Sequence, residues 1–124
     1  MRKLLVFVAA IVLSNAAFAQ EKSSTPEYPT VASALDALRA KSGVKLSTQS
    51  GWTVIEDRST LSVWSFVPEG HPAHPAVIHR KVVQDGNNIF VQMNVLCEAP
   101  KAACDAVVTD FEKLNGKVRD SLSR

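Results

Sequence analysis

All three histidines of the chain lie within nine residues of one another, in the stretch PEGHPAHPAVIH at 68–79. Imidazole nitrogens bind Cu²⁺, Ni²⁺ and Zn²⁺, so His71, His74 and His79, with Glu69 as an added carboxylate, form a candidate site for a weakly bound divalent metal. His71 and His74 each precede a proline, which favours a polyproline-like run with three residues per turn and both imidazoles on one side. A stable zinc site would need His79 or Glu69 to fold back as a further ligand. The alternative is a stiff, exposed loop that leads into a strand.

A second candidate site is a surface for a protein partner beside this loop. The segment LSVWSFV at 61–67 is apolar on both faces of a strand, and core packing explains its aromatic residues most simply. In the other interpretation Trp64 and Phe66 join Pro72, Pro75 and Phe90 in an aromatic, proline-rich surface that anchors a partner. The peptide bonds before both prolines are expected to be trans by default.

Catalytic motifs are missing from the sequence. It contains no G-x-S-x-G, no H-E-x-x-H and no glycine-rich phosphate loop. Glu56 and Asp57 are neighbours that would point to opposite faces of a strand, so they do not form a carboxylate pair. We therefore assign no catalytic residue and do not favour an enzyme.

The two cysteines, Cys97 and Cys104, predict a structural disulfide. Their C-x6-C spacing differs from the C-x-x-C of thiol oxidoreductases, and in an exported protein a lone pair is typically oxidised. Cys97 ends an alternating strand, whereas Cys104 begins a run with helical spacing, so both point to one core. Closing a loop of eight residues should contribute about 2.5 kcal/mol.

Apolar spacing predicts a helix, then strands, then a second helix. Thr30 can cap the first helix, and Cys104, Val107 and Phe111 recur at helical spacing in the last one. The turn signal DGNN at 85–88 predicts a hairpin. We predict an α+β domain, an antiparallel sheet of about four strands with an N-terminal and a C-terminal helix packed on one face. The strand candidates are VKLST, WTVIED, LSVWSFV, AVIHRKVV and IFVQMNVLC.

The hairpin also predicts which side chains share a face. Ile78 and Val82 fall on the same side as Val91 and Met93. Arg80 lies on that face too, where its charge needs solvent or a carboxylate. The opposite face mixes apolar and polar residues, which indicates partial cover by a loop or contact with a partner.

The N-terminus is typical of a secretory signal peptide. Arg2 and Lys3 precede a ten-residue apolar run, and Ala-Phe-Ala precedes the expected cleavage after Ala19. The run is too short to span a bilayer as a helix, so the mature chain is expected to have no membrane span. The expected division is signal peptide 1–19, flexible leader 20–29 and a single domain 30–124.

Net charge excludes nucleic-acid binding from the expected functions. The chain has 14 Lys and Arg against 12 Asp and Glu, and cleavage removes two of the basic residues. The mature chain is thus neutral, without the basic excess that nucleic-acid binders keep.

The runs WSFVPEGHPAHPAVIHRKVV and LCEAPKAACDAVVTDFEKLN resemble a family of small, uncharacterised exported proteobacterial proteins, over about residues 30–115. That resemblance implies a stable secreted domain and no particular activity or cofactor. The residues favour a non-catalytic periplasmic or secreted interaction domain for a protein or envelope component. The alternatives are the metal-binding protein described above and, third, an inhibitor of an envelope enzyme or a small hydrolase.

Overall fold

A computed structural model describes residues 27–122 of the chain. The predicted signal peptide and residues 20–26 of the predicted leader lie outside the described residues, as do residues 123 and 124. The elements in chain order are α1 (Val31–Ala40), β1 (Val44–Gln49), β2 (Trp52–Asp57), a 3₁₀ turn (Arg58–Thr60), β3 (Ser62–Phe66), β4 (Ala76–Asp85), β5 (Asn88–Cys97) and α2 (Lys101–Leu122).

The strands form one antiparallel sheet in the order β1-β2-β3-β4-β5. Each strand pairs with its neighbour in sequence, because short turns favour this arrangement. Asp85 pairs with Asn88, so Gly86 and Asn87 form the predicted two-residue hairpin turn. The predicted α+β fold with an antiparallel sheet is confirmed, with five strands instead of about four because all five strand candidates are paired.

Helix α1 begins where the sequence predicts. The Thr30 hydroxyl accepts a hydrogen bond from the Ser33 N–H at 3.0 Å, and the Ser33 hydroxyl oxygen accepts one from the Thr30 N–H at 3.1 Å. This reciprocal capping satisfies two N–H groups at the helix start. The buried side of α1 packs on one face of the sheet, in a core made of Val31, Ala34, Leu38, Ile55, Trp64, Phe66 and Val77.

Helix α2 packs on the opposite face of the sheet. Its buried Val107 belongs to a second core with Ala76 and Ile78, whereas Val77, between them on β4, belongs to the α1 core. Successive side chains of a strand point to opposite faces, so the two helices cover different sides. The predicted placement of both helices on one face is therefore corrected. The physical reason is that β3 and β4 carry apolar side chains on both faces, and each face needs a cover.

The predicted disulfide joins Cys97 and Cys104, with their Cα atoms 5.9 Å apart. It ties the end of β5 to the first turn of α2, and it is consistent with an oxidising compartment. Among residues 27–122, no helix is long and apolar enough to cross a membrane.

The end of the predicted flexible leader is packed against the domain. The Tyr28 ring meets Trp64 edge-on, with the ring centroids 5.6 Å apart. Tyr28 also adjoins the α1 core, so residues 27–29 belong to the folded unit.

Candidate functional site

The loop between β3 and β4 holds three of the predicted metal ligands. The Nδ1 atom of His71 accepts a hydrogen bond from the Ala73 N–H at 3.0 Å, and the His71 ring lies edge-on to Trp52 at 5.5 Å. His74 and Glu69 are exposed. The His74–Pro75 bond is cis, which corrects the default expectation of trans at this proline.

His79 is separated from this loop. It lies in β4 on the α1 side, stacked on Trp64 with ring centroids 3.7 Å apart and planes 6° apart. Its Nε2 atom is 2.9 Å from the Ser62 hydroxyl, and its Nδ1 atom is 3.4 Å from a Glu27 carboxylate oxygen. His71 instead faces Trp52 on the α2 side. Within residues 27–122 no three His, Cys, Asp or Glu side chains are grouped to hold a metal ion. Metal binding stays a prediction, without a preassembled set of three ligands.

The predicted partner surface does not form as a unit. Trp64 and Phe66 are only 6% and 4% exposed and belong to the α1 core, so the prediction that they are surface anchors is corrected. Pro72 is exposed and Pro75 is half-buried in the loop, whereas Phe90, 41% exposed, lies near the hairpin turn. Phe90 is six residues along β5 from the Leu96 that pairs beside the loop, roughly 20 Å away at strand spacing.

Glu27, His79 and Ser62 stand in the order of a carboxylate–histidine–serine relay. Such a relay also needs free N–H donors to stabilise an oxyanion. Ser62 lies in β3, between β2 and β4, so the N–H groups of its strand face the two neighbouring ladders. Burial lowers the pKa of His79, and the Glu27 carboxylate opposes this shift. The cluster is therefore best explained as a buried histidine that is held neutral and anchors residues 27–29.

An ion pair lies on the α1 side of the sheet, the side on which His79 lies. The Lys41 ammonium, just after α1, donates to the carboxylate of Asp57 at the end of β2. The Ser59 hydroxyl donates to the same carboxylate at 2.6 Å. The Lys41 hydrogen bond, followed by that of Ser59, lowers the pKa of Asp57 to about 2. Glu56 points the other way, as the alternation of the strand predicts.

An open cleft lies on the α2 side of the sheet. It holds about 820 Å³ of space, part of it open to solvent, between α2 and strands β2 to β4. Phe111 packs on Trp52 with ring centroids 5.6 Å apart, and Leu114, 41% exposed, forms the rim. The cleft is lined by apolar Trp52, Val54, Val63, Phe111 and Leu114 and by polar Gln49, Ser50, Glu56, Ser65 and Arg80.

Arg80 lines this cleft and has no anionic partner among the residues that the structure describes. Its guanidinium carbon is 5.1 Å from the centre of the Phe111 ring. The Nε atom is buried and has no hydrogen-bond partner, and no carboxylate of residues 27–122 forms an ion pair with Arg80. Burial lowers the pKa of Arg80, although an arginine remains charged. A half-buried cation with an unused donor is suited to a carboxylate or another anion.

Glu56 faces the same cleft as Arg80. It pairs with Val63, and Val63 pairs with Arg80, so the three residues form one row across β2, β3 and β4. Glu56 forms no ion pair or side-chain hydrogen bond within the described part of the chain. The cleft thus carries an unpaired negative charge and an unpaired positive charge, two strands apart.

Sequence reasoning placed Arg80 on the correct face but not in a site. As expected, Arg80 is not fully buried, and its guanidinium also lies against the face of the Phe111 ring. The sequence signal for Arg80 as a site residue was its charge, which interrupts the alternating apolar pattern of the strand. Glu56 had no such signal, because its relation to Arg80 depends on the register of three strands.

Comparison with family models, with curated proteins and with solved structures finds no match to this chain.

Proposed function

We propose that the protein is a non-catalytic interaction domain, exported to the periplasm or beyond the cell, that binds its partner in the cleft between α2 and the sheet. We propose this cleft, and not the aromatic loop region expected from the sequence, as the binding surface because Trp64 and Phe66 are buried. Residues 1–19 and the disulfide support export. The partner is a protein or envelope component that presents a carboxylate beside an apolar group.

The observation that carries this proposal is Arg80. A folded protein rarely buries part of a charged side chain without a partner, and such exceptions concentrate at functional sites. The Phe111 ring beside it and the Trp52 ring that packs on Phe111 offer apolar area in the same cleft. Together they match a ligand whose anionic end meets the guanidinium while its apolar part covers the rings.

The test is an NMR titration of the oxidised chain without its signal peptide, residues 20–124, with 3-phenylpropionate. We expect saturable shifts at cleft residues and at least about tenfold weaker binding in Arg80→Met, because a hydrogen bond to a charged group contributes roughly 1.5–3 kcal/mol. Lys81→Met, on the same strand but the other face, is the matched control and should bind like the wild type. Equal binding of 3-phenylpropan-1-ol, or shifts confined to the histidine loop, would refute the cleft as the site.

A further inference from the structure

The charges of the cleft are arranged for a ligand with two poles. Arg80 and Glu56 occupy the same row of the sheet with one strand between them. Neighbouring strands lie 4.7–4.9 Å apart, so the backbones of Arg80 and Glu56, two strands apart, are separated by roughly 9.5 Å. A simple anion on Arg80 would leave Glu56 unpaired and would be repelled by it. A ligand with an anionic end and a cationic end satisfies both residues.

The spacing selects the length of the ligand. An extended chain advances about 3.3–3.6 Å per residue, so roughly 9.5 Å corresponds to about three residues. Val63 lies between the poles in this row, and the rings of Trp52 and Phe111 line the same cleft, as does Leu114. This apolar stretch is suited to a central side chain that is itself apolar.

We propose that the cleft binds a short peptide of two or three residues with free ends, its carboxyl terminus on Arg80 and its amino terminus on Glu56. The peptide lies across the strands, with its apolar side chain against Trp52 and Phe111. This assignment rests on the proposed function and names the chemical class of its ligand. The cleft lies over the face of β2 and β3, which are interior strands, so the peptide does not extend the sheet as an added strand.

The probe is the tripeptide alanyl-phenylalanyl-alanine, titrated by NMR or calorimetry into the oxidised chain, residues 20–124. Its N-acetyl form lacks the cation, and its C-terminal amide lacks the anion. We expect each capped form to bind the wild type about tenfold more weakly than the free peptide. Glu56→Gln should bind the free and N-acetyl peptides equally, and Arg80→Met should bind the free and amide peptides equally, because each variant removes the partner of the missing charge.

The outcomes separate this inference from the function beneath it. If N-acetylation and Glu56→Gln change nothing while Arg80→Met still weakens binding, the two-pole assignment is wrong and the cleft remains an anion site. If neither variant affects binding, or if no form of the peptide binds, the peptide assignment is wrong. If 3-phenylpropionate does not bind either, the cleft is not the binding site and the proposed function is wrong as well. If acetyl-glutamyl-phenylalanyl-lysine amide binds as well as the free tripeptide, the poles recognise side chains of a protein segment, and free ends are refuted.

Discussion

Replacement of Arg80 by methionine should make the free protein more stable, although it removes the residue that we propose binds the ligand. The buried Nε atom has no partner among residues 27–122, and a buried unsatisfied donor costs roughly 1–3 kcal/mol. Against this gain stands the cation–π contact with Phe111, which contributes about 0.5–1 kcal/mol at a partly exposed site. Methionine keeps an apolar stem on the sheet. The expected net effect is a gain of about 1 kcal/mol, or roughly 4–8 °C in Tm for a domain of this size.

Urea denaturation measures this difference directly. The midpoint should rise in Arg80→Met while the dependence of free energy on urea concentration stays constant, since the folded area is unchanged. Lys81→Met removes the same charge from an exposed position of the same strand and should stay within about 0.5 kcal/mol of the wild type. A loss of 1 kcal/mol or more in Arg80→Met, with the control unchanged, would mean that Arg80 is kept for the fold. Arg80 would then give no support for a ligand site.

Three further predictions concern the stability of the fold. The pKa of Asp57 lies near 2 instead of 3.8, so its ion pair with Lys41 stabilises the protein above pH 3.8, and this stabilisation is lost as the pH falls toward 2. In Asp57→Asn the urea midpoint should therefore depend less on pH over this range. An unchanged pH dependence of the midpoint would contradict the pairing. Replacing Cys97 and Cys104 together by serine should cost about 2.5 kcal/mol in urea denaturation, and the wild type with reductant should behave like the variant. Ile78→Ala should cost about 3 kcal/mol because the side chain is fully buried, whereas a cost below 1 kcal/mol by the same measurement would place Ile78 outside the core.

The local elements of the fold were predictable because their signals are local. The capping of α1 at Thr30 and the DGNN hairpin depend on residues within four positions of one another. The side on which each helix packs was predicted wrongly. The sequence does contain a clue, since Trp64 and Phe66 alternate with Val63 and Val67 in the segment 61–67. A strand that is apolar on both faces indicates that both faces of the sheet are covered by other elements, which favours one helix on each side.

The candidate site was less predictable because its members meet only through tertiary structure. The histidine motif is compact in sequence, yet β4 carries His79 to the α1 side while His71 contacts Trp52 on the other. Proximity along a chain therefore does not ensure a shared site. Arg80 and Glu56 show the converse, since 24 positions separate them in sequence but one row of the sheet contains both.

The two faces of the sheet are covered unequally, and the proposed binding cleft lies beside α2. On the α1 side, Leu38 and Ile55 are fully buried, and the Lys41–Asp57 pair closes the margin. Helix α2 is fixed near its start by the disulfide and by buried Val107, and Phe111 packs on Trp52 farther along, whereas Leu114 and Leu122 are exposed. The cleft lies between α2 and strands β2 to β4, over part of the row that contains Arg80. The disulfide lines no part of the cleft, but it fixes the start of the helix that forms one wall of the cleft. We therefore expect reduction of the disulfide to change the affinity for the proposed ligand, although the sulfur atoms do not contact it.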